Sequence, residues 1–140
     1  MKLVGVALLL CVGLSACQQA KSERGAHWTK EASELAVYAT QVPIYPGATI
    51  EDAMGADLYG ETKADHTERM TFFLETDGSH DELVAWYEEQ LPDASRKETE
   101  EGATVFSFAP EGAEDGEDAG VWIDEDGSLR IFENTKAGKH

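Results

Sequence analysis

The four residues Ser79-His80-Asp81-Glu82 constrain the fold more than any other stretch of this chain. A serine followed three positions later by a glutamate forms a capping box, in which each side chain satisfies a backbone N–H left open by the first helical turn. Asp81 and Glu82 also put negative charge at the positive end of the helix dipole. Leu83, Val84, Tyr87 and Leu91 follow at helical spacing, and Pro92 ends the segment, so a helix is expected over 79–91. On either side of it the apolar period shortens to two. In 67–76, Met70, Phe72 and Leu74 alternate with Arg69, Thr71 and Phe73. A strand is expected before this at 49–54, and four more after the helix at 95–99, 103–109, 120–124 and 128–134. Phe106 pairs in phase with Phe108, Val121 with Ile123, and Leu129 with Ile131. Glu101-Gly102 and Asp126-Gly127 mark the tight turns between them.

Alternation of this kind suits an antiparallel sheet that is packed on one face and wet on the other. The expected fold class is α+β, with an antiparallel sheet of five or six strands packed on one main helix (79–91). An N-terminal helix is expected over 28–40. Trp28, Ala32, Leu35 and Ala39 share a face there, Thr29 can cap the start, and Pro43 lies just past the end. Residues 55–66 read as a hairpin loop or a frayed strand pair.

The amino terminus is of another kind. Met1-Lys2 gives a short basic start, and 3–14 is almost wholly apolar. An apolar run of about a dozen residues has the length of an export signal's core. A membrane-spanning helix needs about 20. The run closes on Leu14-Ser15-Ala16-Cys17. This stretch resembles the lipobox of bacterial lipoproteins, which reads aliphatic, small, Gly or Ala, then Cys. The resemblance implies cleavage after Ala16, a thioether-linked diacylglyceryl group on Cys17, and commonly an acylated amino terminus. Two or more acyl chains hold a protein stably on a bilayer, where one holds it only marginally. In enteric bacteria an Asp after the cysteine favours the inner membrane. Gln18 stands there instead, which points to the outer membrane, facing the periplasm. The organisation is then a signal peptide at 1–16, lipidated Cys17 and a tether at 17–26, a single domain at 27–134 and a polar tail at 135–140. Cys11 would leave with the signal and Cys17 would carry lipid. No thiol would remain for a disulfide, and packing alone would hold the domain.

A second resemblance runs through the domain. Pro43-Ile44-Tyr45-Pro46-Gly47-Ala48, a strand at Phe72 to Leu74, Thr76-Asp77-Gly78-Ser79 and the pair Trp86-Tyr87 occur in this order. The set is similar to bacterial envelope proteins that carry a P-x-Y-P-G-A segment and have no characterised activity. It implies a shared small α+β domain and no particular chemistry. Pro46-Gly47 marks a turn, and Tyr45, Pro46 and Gly47 read as a surface feature or a lid over one end of the sheet.

The formal charge of −17 becomes about −18 once Lys2 leaves with the signal. So acidic a chain repels nucleic-acid phosphates and anionic membrane surfaces. It suits solubility, and it can steer a basic partner. Residues 111–118 form an acidic loop with two glycines, in which Glu114, Asp115, Glu117 and Asp118 are candidate ligands for a divalent cation. Calcium takes six to eight oxygens, but the alternating order of an EF-hand is missing here. His27, His66 and His80 sit in unrelated segments, and the chain has no His-Glu-x-x-His, no glycine-rich phosphate loop and no Cys-x-x-Cys. The expected function is a lipid-anchored envelope lipoprotein acting as a non-catalytic binding or accessory module that faces the periplasm. Its partners would be the membrane, through the anchor, and another envelope protein. No cofactor is expected besides the covalent lipid. The alternative is a small-ligand or divalent-cation binding protein that uses the acidic loops.

Overall fold

The computed structural model describes residues 28–58 and 66–136. The expected signal peptide, lipidated Cys17 and tether, residues 59–65 of the expected hairpin segment and residues 137–140 of the expected tail lie outside the described residues. Two α-helices, α1 (Lys30–Leu35) and α2 (His80–Gln90), accompany six strands. These are β1 (Thr49–Leu58), β2 (Thr67–Glu75), β3 (Ser95–Glu98), β4 (Thr104–Phe108), β5 (Asp118–Ile123) and β6 (Leu129–Lys136). They form one sheet in the order β1-β2-β6-β5-β4-β3, and every neighbouring pair is antiparallel. The expected α+β class with a six-stranded antiparallel sheet is what the chain adopts.

Pairing register turns the alternation of the sequence into two distinct faces. Phe72 lies opposite Ile131, Ile131 opposite Val121, and Val121 opposite Phe106, which makes one apolar row across four strands. Leu74, Leu129, Ile123 and Thr104 make the next row. All eight are buried. Leu83, Val84 and Tyr87 of α2 join the same core, and so do Ala32, Tyr38, Ala39, Val42, Ile44 and Ala48 from the N-terminal segment. One helix does not cover this face by itself. A helix is about 10 Å wide, whereas six strands spaced about 4.8 Å apart span about 24 Å. The irregular chain from Tyr38 to Ala48 covers much of the rest.

The capping box of α2 forms as expected. Ser79 accepts from the Glu82 N–H at 3.2 Å, and the Glu82 carboxylate accepts from the Ser79 N–H at 3.5 Å. Tyr87 ties the helix to the proline segment, its hydroxyl donating to the Pro43 carbonyl (2.9 Å) and accepting from the Tyr45 N–H (3.3 Å). Burial pushes the Tyr87 phenol far above its ordinary value, and the Tyr45 N–H opposes this only in part. The Asp126-Gly127 turn forms as well. Gly127 takes a positive φ of 88°, and Asp126 Oδ1 accepts from the Ser128 N–H at 2.9 Å. That bond and the Ser128 hydroxyl hold the Asp126 carboxyl below the usual carboxylate range.

The expected N-terminal helix over 28–40 is corrected. Thr29 does cap it, accepting from the Ala32 N–H at 3.1 Å, but α1 ends at Leu35 and Ala36 is extended. A 3-10 turn follows at Ala39–Gln41. The cause sits on β6, where the Glu133 carboxylate accepts from the backbone N–H groups of Val37, Tyr38 and Ala39 at 2.9–3.2 Å. A continuous helix would need those same donors for its own carbonyls. Strand ends also move. β1 continues to Leu58, and β6 runs through Thr135 to Lys136, where the polar tail was expected, because Thr135 is buried opposite Glu68.

Candidate functional site

With one face of the sheet in the core, the other carries the off-phase residues of each strand. Register lays them out in rows. Phe73, Arg130, Trp122, Val105 and Lys97 form one row from β2 to β3. Thr71, Phe132, Gly120 and Ser107 form the second, and Arg69, Asn134 and Asp118 the third. Met54 and Leu58, on edge strand β1, extend the same face with exposed apolar side chains. Neither helix nor the proline segment contributes to the lining of this surface. The residues of the three rows other than Phe73 and Gly120, together with Thr99, line an open depression of about 400 Å³.

Arginines here lie on rings. The Arg69 guanidinium sits 5.5 Å from the Phe132 ring centre. Arg130 sits 5.9 Å from Phe73 and 5.7 Å from Trp122, its direct cross-strand neighbours. A cation over an aromatic face is attracted by the ring's quadrupole, which restrains the side chain. Hydrogen bonds fix both groups further. Arg69 Nε donates to Asn134 Oδ1 (2.8 Å), and Asn134 Nδ2 donates in turn to Asp118 Oδ1 (2.6 Å). Arg130 Nη2 donates to Asp124 Oδ2 (2.7 Å), whose other oxygen accepts from the Trp122 indole N–H (2.9 Å). Among the described residues, the two terminal nitrogens of Arg69 and the ammonium of Lys97 have no hydrogen-bond partner. Gly120 lies beneath the Phe132 ring, one of the residues that line the depression. A Cβ there would come within 1.9 Å of the Phe106 carbonyl oxygen and 2.9 Å of the Phe132 ring, so only glycine fits.

The distribution of charge singles this face out. The described residues include six lysines and arginines in all, and Arg69, Lys97 and Arg130 line this one depression. A chain of net charge −17 therefore collects half of its described cations on the face that its own core leaves uncovered.

The four loop carboxylates proposed as cation ligands are not brought together. Glu117 turns inward and is 4% exposed. It accepts from the Tyr38 hydroxyl (2.9 Å), the Glu114 N–H (2.7 Å) and the Lys136 N–H (2.9 Å). Asp118 points to the opposite face of the sheet and bonds Asn134, while Glu114 and Asp115 are exposed. Among the described residues, no group of three or more His, Cys, Asp or Glu side chains is placed to hold a metal ion. Tyr45 packs edge-on against Trp86 of α2 at 5.6 Å, and Pro46 and Gly47 form an exposed turn closed by the Ala48 N–H to the Tyr45 carbonyl. Sequence spacing gave His80 no nucleophile, but the fold supplies a hydroxyl. His80 contacts Asp81 Oδ1 at 3.1 Å through Nδ1 and Thr104 Oγ1 at 3.0 Å through Nε2. Thr104 is 1% exposed, so nothing reaches its hydroxyl without opening the core, and the contact clamps the start of α2 to β4.

The chain finds no match to a protein-family model, to a curated protein or to a solved structure. What points to a site is the geometry above. Reasoning from the sequence missed this face because it followed the in-phase apolar residues of each strand. The signal lay in the other phase, where Arg69 and Phe73, Arg130 and Phe132, and Trp122 alternate with the core residues.

Proposed function

We propose that this chain is a lipid-anchored envelope lipoprotein, held at the outer membrane through Cys17 and facing the periplasm. It acts there as a non-catalytic binding module that presents the uncovered face of its sheet. The anchor reading rests on Leu14-Ser15-Ala16-Cys17 after an apolar run. The binding reading rests on one observation, the gathering of Arg69, Lys97 and Arg130 with Trp122, Phe73 and Phe132 on a face that no other part of the described chain covers. An antiparallel sheet can leave one face to water, and that face is then normally polar. Rings carrying stacked guanidiniums around an obligatory glycine make a shaped surface instead. This reading moves the expected contact away from the acidic loops, whose carboxylates are spread over different environments.

Two experiments test it. The Cys17→Ser variant should lose both membrane fractionation and the acyl mass, and unchanged fractionation would contradict the anchor. A photo-crosslinking residue at Thr71, on the uncovered face, should give adducts in intact cells that the same residue at Glu89, on the exposed side of α2, does not. Equal labelling from both positions would contradict the binding face.

A further inference from the structure

We propose that the uncovered face receives a small organic anion, a molecule with a carboxylate or phosphate group at one end and a flat apolar body. The inference rests on the binding-module reading and names the chemistry of its ligand.

The anionic end follows from Arg69. Its Nε is committed to Asn134, which Asp118 orients, and its guanidinium carbon lies over the Phe132 ring. The two terminal nitrogens that remain form a fork, the geometry that takes two oxygens of one carboxylate or phosphate. Because the ring and the relay already hold the guanidinium, little side-chain freedom is left to lose on binding. The acids nearby are engaged: Asp124 bonds Arg130 and Trp122, and Asp118 bonds Asn134. Lys97, at the far side of the depression, adds a second cation with no partner among the described residues.

The apolar body follows from the floor between them. Phe132, Val105 and Trp122 line the depression between them, with Gly120 beneath the Phe132 ring, and Thr71 and Ser107 supply hydroxyls beside them. The size follows from the volume. About 400 Å³ falls within the range of roughly 300–1,000 Å³ that suits small-molecule ligands. The low charge follows from the whole chain. At −17 its field repels a polyanion at long range, while a single acidic group is captured at short range by the fork.

The test is an NMR titration of the full isotope-labelled chain in detergent micelles with three probes, 4-phenylbutyrate, phenylphosphonate and the uncharged 4-phenylbutanol. The expected result is saturable shifts at Arg69 Nε–H, Gly120 and the Trp122 indole N–H with at least one of the two anions. Binding by the butyrate alone or the phosphonate alone identifies which acidic group the fork selects. The alcohol should bind at least about tenfold more weakly than the better anion, the ratio expected from losing a charge-assisted bond. Arg69→Gln should weaken anion binding by at least about tenfold and Lys97→Gln by several-fold, with the amides of Ile131 and Val121 unmoved as the sign of an intact core.

Equal binding of the alcohol and the anions, shifts confined to other surfaces, or full affinity in Arg69→Gln would each overturn the proposal. Shifts of the same signals that depend on protein concentration without any probe would assign the face to a second copy, and would also overturn it. Failure of both anions to bind overturns the ligand class. Labelling at Thr71 and not at Glu89 would then still stand for the binding module, so the two failures are told apart.

Discussion

The two faces of one sheet use charge in opposite ways. On the covered face, carboxylates are building material. Glu133 is fully buried, and its oxygens gather three successive backbone N–H groups from the segment that crosses the core. Glu117 does the same for the Tyr38 hydroxyl and two backbone N–H groups. Burying a carboxylate is costly unless hydrogen bonds compensate it, and here the chain's own backbone supplies them. On the uncovered face, Arg69 and Arg130 lie over rings, and the terminal nitrogens of Arg69 have no hydrogen-bond partner among the described residues. The contrast teaches that the acidity of the chain says little about where its function sits. Part of the acid is internal, and the scarce cations mark the outside face that is shaped.

The sharpest way to break this contrast is Glu133→Ala. It leaves three N–H groups without their acceptor, two of them in fully buried bonds. Urea unfolding should show a loss of about 3–5 kcal/mol. The same change at exposed Asp115 should stay within about 0.5 kcal/mol. Equal effects at the two positions would mean that the buried carboxylate is not structural.

Gly120→Ala comes next, because Gly120 packs beneath the Phe132 ring of the uncovered face. The added methyl would push the Phe106 carbonyl on its own sheet and the Phe132 ring above it. A loss of about 1–3 kcal/mol is expected, together with weaker anion binding as the Phe132 platform shifts. Thermal unfolding and the titration above check the two effects separately.

A smaller effect concerns the roof of the covered face. Tyr87→Phe removes bonds to Pro43 and Tyr45 and should cost about 1–2 kcal/mol. It also carries a pH signature. The folded state holds the Tyr87 proton more tightly than the unfolded chain does. Its contribution is therefore fully present below the unfolded phenol value of about 10 and declines as pH rises past it. Stability measured against pH should fall on the alkaline side in the parent chain and fall less steeply in Tyr87→Phe.

The smallest effect on stability belongs to the uncovered face. Arg69→Gln and Lys97→Gln remove exposed cations whose contacts lie at the surface, and each should change unfolding by under about 1 kcal/mol. Their large effect is reserved for the ligand.

Much of the fold could be read from local rules. Ser79 and Glu82 announced α2, and Asp126-Gly127 announced the last hairpin. The alternation of Met70, Phe72 and Leu74 identified β2 and its buried side. Each of these signals acts over a few residues. What could not be read was set by partners far away in sequence. The helix expected through Thr40 stops at Leu35 because a carboxylate some 95 positions later takes its donors. The candidate site failed to show for the same reason. Arg69, Gly120, Trp122 and Arg130 become neighbours only through the order β2-β6-β5, a crossover that no local pattern announces. Glu114, Asp115, Glu117 and Asp118, adjacent in sequence, are sent to different environments by strand alternation and an inward turn.

The most direct measurement joins both halves of the contrast in one molecule, the double variant Arg69→Gln and Lys97→Gln. Its urea unfolding curve and its titration with 4-phenylbutyrate and phenylphosphonate should be recorded beside those of the parent. The double variant should unfold within about 1–2 kcal/mol of the parent and should no longer shift Gly120 and Trp122 when either anion is added. A variant that unfolds as readily as Glu133→Ala, or one that still binds the anion as the parent does, would contradict this expectation.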